Sequence, residues 1–145
     1  MVCTFFGHRD CYELDEKVLR RAIEELIVSG VDTFYVGNQG HFDRMVLDSL
    51  LKFKKIYQHL SFSVVLAYMP TKKFDSDIYR FHSIYPEGLE TGHPKFAVEK
   101  RNKWMVAQSN YCLCYVNQSY GGAYKFACLA KRKGLIVINL GNIKF

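Results

Sequence analysis

The sequence predicts an α/β protein: a Rossmann-like, three-layer α/β/α sandwich around a parallel sheet of about five strands. Two kinds of segment, alternating along the chain, predict this class. Short apolar segments rich in β-branched and aromatic residues alternate along the chain with longer segments of helical period. This β-α-β-α-β-loop-α-β-α-β pattern is typical of a parallel sheet with helices on both faces. Right-handed crossovers then favour the strand order 3-2-1-4-5.

The predicted strands cover residues 2–6, 32–36, 62–68, 111–116 and 135–140, and the predicted helices cover residues 14–29, 41–58, 94–109 and 122–133. Apolar residues recur at spacings of three and four in the first helix, and Gly30 ends it. Pro94 suits the first position of the third helix, and Gly134 ends the fourth. The last strand is a continuous apolar run, which predicts burial on both faces.

Residues 70–93 show no clear period and are rich in aromatic and polar side chains. A segment of this length in a small domain is typically a lid or a binding insertion. A short helix around residues 75–82 would fit within it. The alternative is a surface excursion without a role.

Length and composition predict one globular domain over residues 1–145, because 49% of the residues are hydrophobic and 23% are charged. No apolar run is long enough for a membrane span, and the N-terminus lacks signal-peptide features, so we expect a cytoplasmic protein without a membrane partner. The five cysteines form no C-x-x-C pair. They predict buried small hydrophobes in a reducing compartment and no metal site.

The net charge of +6 favours anionic partners, either nucleotides or nucleic acid. The basic residues, however, cluster at the predicted C-termini of helices, where the helix dipole alone favours cations. We therefore expect a small-molecule nucleotide in preference to nucleic acid.

Three of the predicted strands end in glycine-bearing turns. In the predicted strand order these are three neighbouring strands, and ligands of doubly wound sheets bind beyond their carboxyl ends at the switch point. The first turn is Gly7-His8-Arg9. Gly7 allows close backbone approach, and Arg9 suits a bidentate contact with phosphate, or else an ion pair with Asp10 or Glu13.

The second turn is Gly37-Asn38-Gln39-Gly40, and it leads directly into a helix with Asp43 in its first turn. Such a junction directs backbone N–H groups and a helix dipole toward one point. Asp43 would either compensate that dipole or accept hydrogen bonds from ribose hydroxyls.

The third turn is Ser119-Tyr120-Gly121-Gly122, again before a helix. Adjacent glycines at a helix start fit a phosphate-binding nest better than an ordinary cap, which favours Ser, Thr or Asp. Arg101 falls on an otherwise apolar stripe of the third helix. A cation there needs a partner, either a bound phosphate or carboxylate or an internal acid such as Asp43.

The chain resembles the SLOG superfamily, and most closely its YpsA-like branch. The resemblance rests on the three turns in this order, on residues 101–105 and on Ser109-Asn110. This Rossmann-like nucleotide-binding group includes the LOG cytokinin-riboside phosphoribohydrolases and the DprA/SMF DNA-processing domain. The resemblance implies a nucleotide or nucleotide-derived ligand near the double glycine, with no other cofactor required. Members of this group often dimerise, so the resemblance also makes a homo-oligomer one possible assembly.

The LOG pattern is roughly R-K-x-x-M followed by P-G-G-x-G-T-x-x-E. Arg101 and the two glycines match, but Tyr120 replaces the proline, and Ala127 and Cys128 stand where catalytic acids are expected. The resemblance therefore implies ligand binding or sensing without the LOG catalytic acids.

The alternatives are an N-glycosidic hydrolase or transferase acting on nucleotides, and a DNA-processing associated module. Whether the protein is an enzyme stays open. The catalytic candidates are Glu87, Glu90 or Glu99 as the carboxylate, with His8 or Arg101 holding the phosphate.

Overall fold

The computed structural model describes residues 1–69 and 82–145. Their strands are β1 (Val2–Gly7), β2 (Thr33–Val36), β3 (Ser61–Val65), β4 (Ser83–Ile84), β5 (Tyr111–Tyr115) and β6 (Ile136–Asn139). Their helices are α1 (Glu16–Val28), α2 (His41–Ile56), α3 (Ala97–Ala107) and α4 (Gly122–Arg132), with a 3₁₀ turn at Pro94–Phe96 before α3.

The described strands form one parallel sheet in the order β4-β3-β2-β1-β5-β6. The predicted fold class is confirmed, and the predicted five-strand order corresponds to β3-β2-β1-β5-β6. β4 adds a sixth strand of two residues, pairing Val64 with Ser83 and Val65 with Ile84. It lies in the second half of the segment 70–93, whereas the helix predicted near residues 75–82 falls almost wholly outside the described residues.

The helices cover the two faces of the sheet in pairs. Alternate residues of β1 face opposite sides, since Cys3 and Phe5 join one buried cluster and Phe6 joins the other. The first cluster takes its helical side chains from α1 and α2, and the second from α3 and α4. From β1 to β4 the strands are added toward one edge of the sheet, and β5 and β6 are added on the other side of β1. The boundary between β1 and β5 is therefore a topological switch point.

Local sequence signals explain the helix ends. Asp15 caps α1 by accepting a hydrogen bond from the Lys17 backbone N–H at 2.9 Å. Gly40, the residue before α2, has a φ of 92°, and Gly121, the residue before α4, has a φ of 90°. Residues with side chains rarely adopt this left-handed region, so glycine is required at the start of both helices.

β6 differs from expectation. It lies at the edge of the sheet, as the predicted strand order placed it, but its apolar run predicted burial on both faces, whereas Ile136 is 56% exposed. Hydrophobicity alone therefore did not distinguish a central strand from an edge strand. Among the helices of residues 1–69 and 82–145, none has both the length and the apolar character needed to cross a membrane.

Candidate functional site

A cavity of about 510 Å³ opens at the carboxyl ends of β1, β2 and β5, at the switch point. It also reaches the first turn of α4 and the inner face of α3. Most of the predicted ligand-binding residues line it: Gly7, His8, Arg9, Gly37, Gln39, Asp43, Arg101, Gly121 and Gly122. The chain thus brings residues from three separate turns and one helix into a single concave site, of the size typical of small-molecule pockets.

The N-terminus of α4 faces this cavity without a cap. Within the described part of the chain, no side chain caps the backbone N–H groups of its first turn. A Cβ added to Gly122 would have no heavy atom within 4 Å, so the space in front of this residue is open. Free N–H groups at the positive end of a helix dipole attract an anion.

The N-terminus of α2 is arranged differently, although its sequence looks similar. The Asp43 carboxylate accepts a hydrogen bond from the Gln39 backbone N–H at 2.9 Å. The His41 backbone N–H donates to the Arg9 carbonyl oxygen at 2.8 Å. This helix start therefore already holds its own anion, and of the two it is the weaker site for an anionic ligand.

Arg101 is the largest fully buried side chain, with only 2% of its surface exposed. Nη1 donates to the Val65 carbonyl oxygen at 2.9 Å, and Nε donates to Asn102 Oδ1 at 2.8 Å. A longer contact of 3.4 Å joins Nη1 to Asn38 Oδ1. All of these acceptors are neutral, and no carboxylate of the described residues forms an ion pair with the guanidinium.

The second terminal nitrogen of Arg101, Nη2, makes no hydrogen bond to the described residues. No buried side-chain nitrogen or oxygen there lacks a partner, so Nη2 is not fully buried, and Arg101 is one of the residues that line the cavity. Burial lowers the pKa of this guanidinium, and the charge of the nearby Asp43 opposes that effect. A buried cation with only neutral partners and one free donor favours an anion in the cavity.

Asp43 and Arg101 approach each other across Gly37. A Cβ on Gly37 would lie 2.9 Å from Asp43 Oδ2 and 3.1 Å from the Arg101 guanidinium carbon, closer than normal packing allows. A Cβ at this position would therefore force the Asp43 carboxylate or the Arg101 guanidinium to shift. Burial raises the pKa of Asp43 to about 6, although the Gln39 N–H and the Arg101 charge favour its ionised form.

The first turn contributes its residues for different reasons. A Cβ on Gly7 would overlap the Phe42 ring, so this glycine makes room for the core as well as for the cavity. Arg9 is exposed, and within residues 1–69 and 82–145 its side chain makes a single long hydrogen bond, 3.5 Å from Nη2 to Gln39 Oε1. It forms no ion pair with Asp10 or Glu13, the alternative that the sequence left open.

Four predicted ligand-binding residues do not line the cavity: Asn38, Gly40, Ser119 and Tyr120. Asn38 supports Arg101, as described above. A Cβ on Gly40 would lie 2.7 Å from the Arg9 Cα, so Gly40 lets the first two turns pack together. Tyr120 is 69% exposed, outside the cavity.

The carboxylates named as catalytic candidates do not line the cavity. Glu87 and Glu90 are exposed, and neither lines it. Glu99 pairs with Lys125 at 3.0 Å and with Lys103 at 3.2 Å, and these contacts lower its pKa. A carboxylate held ionised in this way is a poor proton donor.

Sequence reasoning did not assign the cavity's other polar lining residues to the ligand: Asp10, Glu13, Asn102, Asn117 and Gln118. The sequence did hold a signal for Asn117 and Gln118, since both come just after the carboxyl end of β5.

Among the described residues, no group of three or more His, Cys, Asp or Glu side chains is placed to hold a metal ion.

Comparison with known proteins gives no relative: no protein-family model matches the chain, and neither does any curated protein.

Proposed function

We propose that this protein binds or senses a nucleotide or nucleotide-derived ligand in the cavity at the carboxyl edge of its sheet. The observation that carries the proposal is the meeting of two donors in one cavity. They are the uncapped N-terminus of α4 and the buried, ion-pair-free guanidinium of Arg101. Both favour a phosphate group, one through its dipole and the other through its charge.

The rest of the lining supports a ligand with more than a phosphate. Phe6, Val98 and Met105 supply apolar surface for a base, while Asp43 supplies a carboxylate for sugar hydroxyls. The resemblance to the SLOG superfamily points to the same class of ligand. It rests on the short motifs of the sequence and adds support without deciding the ligand.

The test is a thermal-shift panel of mononucleotides, ADP-ribose-type compounds and cyclic nucleotides, with the matching nucleosides as phosphate-free controls. We expect at least one nucleotide to raise the Tm, and its nucleoside to raise it much less. If no compound shifts the Tm while salt-dependent DNA binding is observed, the proposal fails and the DNA-processing alternative replaces it.

A second candidate function is hydrolysis of a nucleotide N-glycosidic bond, and one observation favours it. Asp43 lines the cavity, and its pKa of about 6 makes it a carboxyl group that can donate a proton near neutral pH. Chromatography of a stabilising nucleotide after incubation with the protein tests this reading. Release of the free base that disappears in Asp43→Asn supports the enzyme, and recovery of intact ligand leaves a binding protein.

A further inference from the structure

His8 lines the cavity between the ends of β1 and β5, and one of its ring nitrogens is already engaged. The backbone N–H of Asn117 donates a hydrogen bond to His8 Nε2 at 3.0 Å. A backbone N–H can only donate, so Nε2 must act as the acceptor in this contact.

The Asn117 backbone is held firmly in this position. Its side-chain Nδ2 donates to the Tyr115 hydroxyl at 2.7 Å, and its Oδ1 accepts from the Asn142 backbone N–H at 2.8 Å. The Tyr115 ring also meets the His8 ring edge-on, with the centroids 6.2 Å apart. Three contacts thus fix the donor and the plane of the imidazole.

A neutral imidazole carries one proton, and the hydrogen bond at one nitrogen decides which nitrogen holds it. Because Nε2 accepts, the proton of the neutral ring lies on Nδ1. Nδ1 makes no hydrogen bond to the described residues, and no buried side-chain nitrogen there is without a partner. The Nδ1–H group is therefore not fully buried, and His8 is one of the residues that line the cavity.

From these contacts we infer that His8 is a specificity residue of the cavity: an imidazole that accepts at Nε2 and donates its Nδ1–H to the anionic group of the ligand. The inference rests on the proposed function for the presence of that ligand. Asn117 leads into the turn before α4, so the N–H group that holds the His8 ring lies on the same side of the cavity as the uncapped helix. The geometry also excludes Nε2 as a base toward the ligand, because its lone pair is occupied.

The tautomer is tested first, in the free protein. Long-range proton–nitrogen NMR correlations of the histidine rings at about pH 8.5, where an imidazole is neutral, report which nitrogen carries the proton. The His8 signals are assigned by their loss in His8→Gln. We expect a protonated Nδ1 and an unprotonated Nε2, and the opposite tautomer overturns the inference without any ligand being involved.

Two isosteric variants then separate the ligand contact from the structural contact. His8→Gln places an amide oxygen near Nε2, where it accepts from Asn117, but leaves no donor at the Nδ1 position. His8→Asn places an NH₂ group near Nδ1 but leaves the Asn117 N–H unpaired. AMP is the probe, adenosine is its phosphate-free counterpart, and the measured quantities are the Kd and the Tm of the free protein.

We expect His8→Gln to weaken AMP binding by about ten- to a hundredfold, the usual effect of losing a hydrogen bond to a charged group, with the Tm retained. His8→Asn should show the reverse, a lower Tm with AMP affinity largely kept. Adenosine affinity should change little in either variant. Equal AMP binding by wild type and His8→Gln overturns the role of His8 alone, whereas failure of wild type to bind AMP or any other nucleotide of the panel overturns the proposed function with it.

Discussion

Gly122 offers the sharpest test of the anion site, because a side chain there changes the cavity without disturbing the fold. A Cβ at this position meets no heavy atom within 4 Å, and Gly122 is not among the glycines with positive φ. Gly122→Asn and Gly122→Asp introduce side chains of equal size that differ only in charge. In the free protein, replacing a helical glycine adds up to about 1 kcal/mol of stability, and an acid in the first turn adds about 0.3–1 kcal/mol.

In the complex the Asp variant should bind the ligand much more weakly than the Asn variant. A ligand at about 100 times its Kd stabilises the folded state by about 2.7 kcal/mol, which corresponds to roughly 8 °C in Tm for a chain of this size. A carboxylate about 4–5 Å from a phosphate costs about 3–4 kcal/mol at an effective dielectric constant near 20. The Asp variant should therefore lose more than about 99% of its affinity, and its ligand-induced shift should fall below about 1 °C.

Differential scanning fluorimetry with and without the stabilising nucleotide measures both effects in one experiment. Gly122→Asn is the matched control, because it fills the same space without adding a charge and should retain part of the shift. If Gly122→Asp keeps the ligand shift of Gly122→Asn, the phosphate does not lie at the α4 N-terminus, and the reasoning from the uncapped helix is refuted.

Four further outcomes are expected. Gly37→Ala should lower the free energy of unfolding by about 1–3 kcal/mol in urea titrations, because its Cβ enters the space between Asp43 and Arg101; an unchanged midpoint would contradict that close approach. Asp43 has a raised folded-state pKa of about 6 against an ordinary value of 3.8, so stability should fall as the pH rises from about 4 to 6, by at most about 3 kcal/mol. Asp43→Asn should remove that slope, and parallel pH profiles of stability for wild type and Asp43→Asn would contradict the raised pKa of Asp43. Arg101→Met should keep the stability of the free protein within about 2 kcal/mol but abolish the nucleotide response, and a retained thermal shift would exclude Arg101 as an anion contact. Finally, a thiol reagent should modify Cys128 first in the native protein, as mass spectrometry can show, because the other four cysteines are buried.

The central part of the fold followed from the sequence because its signals were periodic. Alternating apolar runs and helical stripes gave the layers, and chain-crossing rules gave the order of the strands from β3 to β6. The two-residue strand Ser83–Ile84 is too short to show any period. The exposure of Ile136 depends on strand position in the sheet, which local hydrophobicity does not encode.

The candidate site was predictable to a similar extent. Arg101 was conspicuous because a charge interrupted an apolar stripe, and the glycines marked turns. The different roles of the α2 and α4 N-termini were not predictable, because both begin after a glycine. The difference arises from Asp43, whose carboxylate turns back to the Gln39 N–H, a contact that depends on three-dimensional geometry.

The open start of α4 has a consequence for motion as well as for binding. A helix whose N-cap is glycine, as Gly121 is here, gives up a few tenths of a kcal/mol relative to one capped by a side chain. Its first turn should therefore fray more readily than the first turn of α1, where Asp15 accepts the Lys17 N–H. In hydrogen exchange, the amides at the beginning of α4 should exchange early in the free protein and slow down when an anion occupies the cavity. The ligand would then act as the missing cap of the helix, so that the same contact both holds the phosphate and completes the fold.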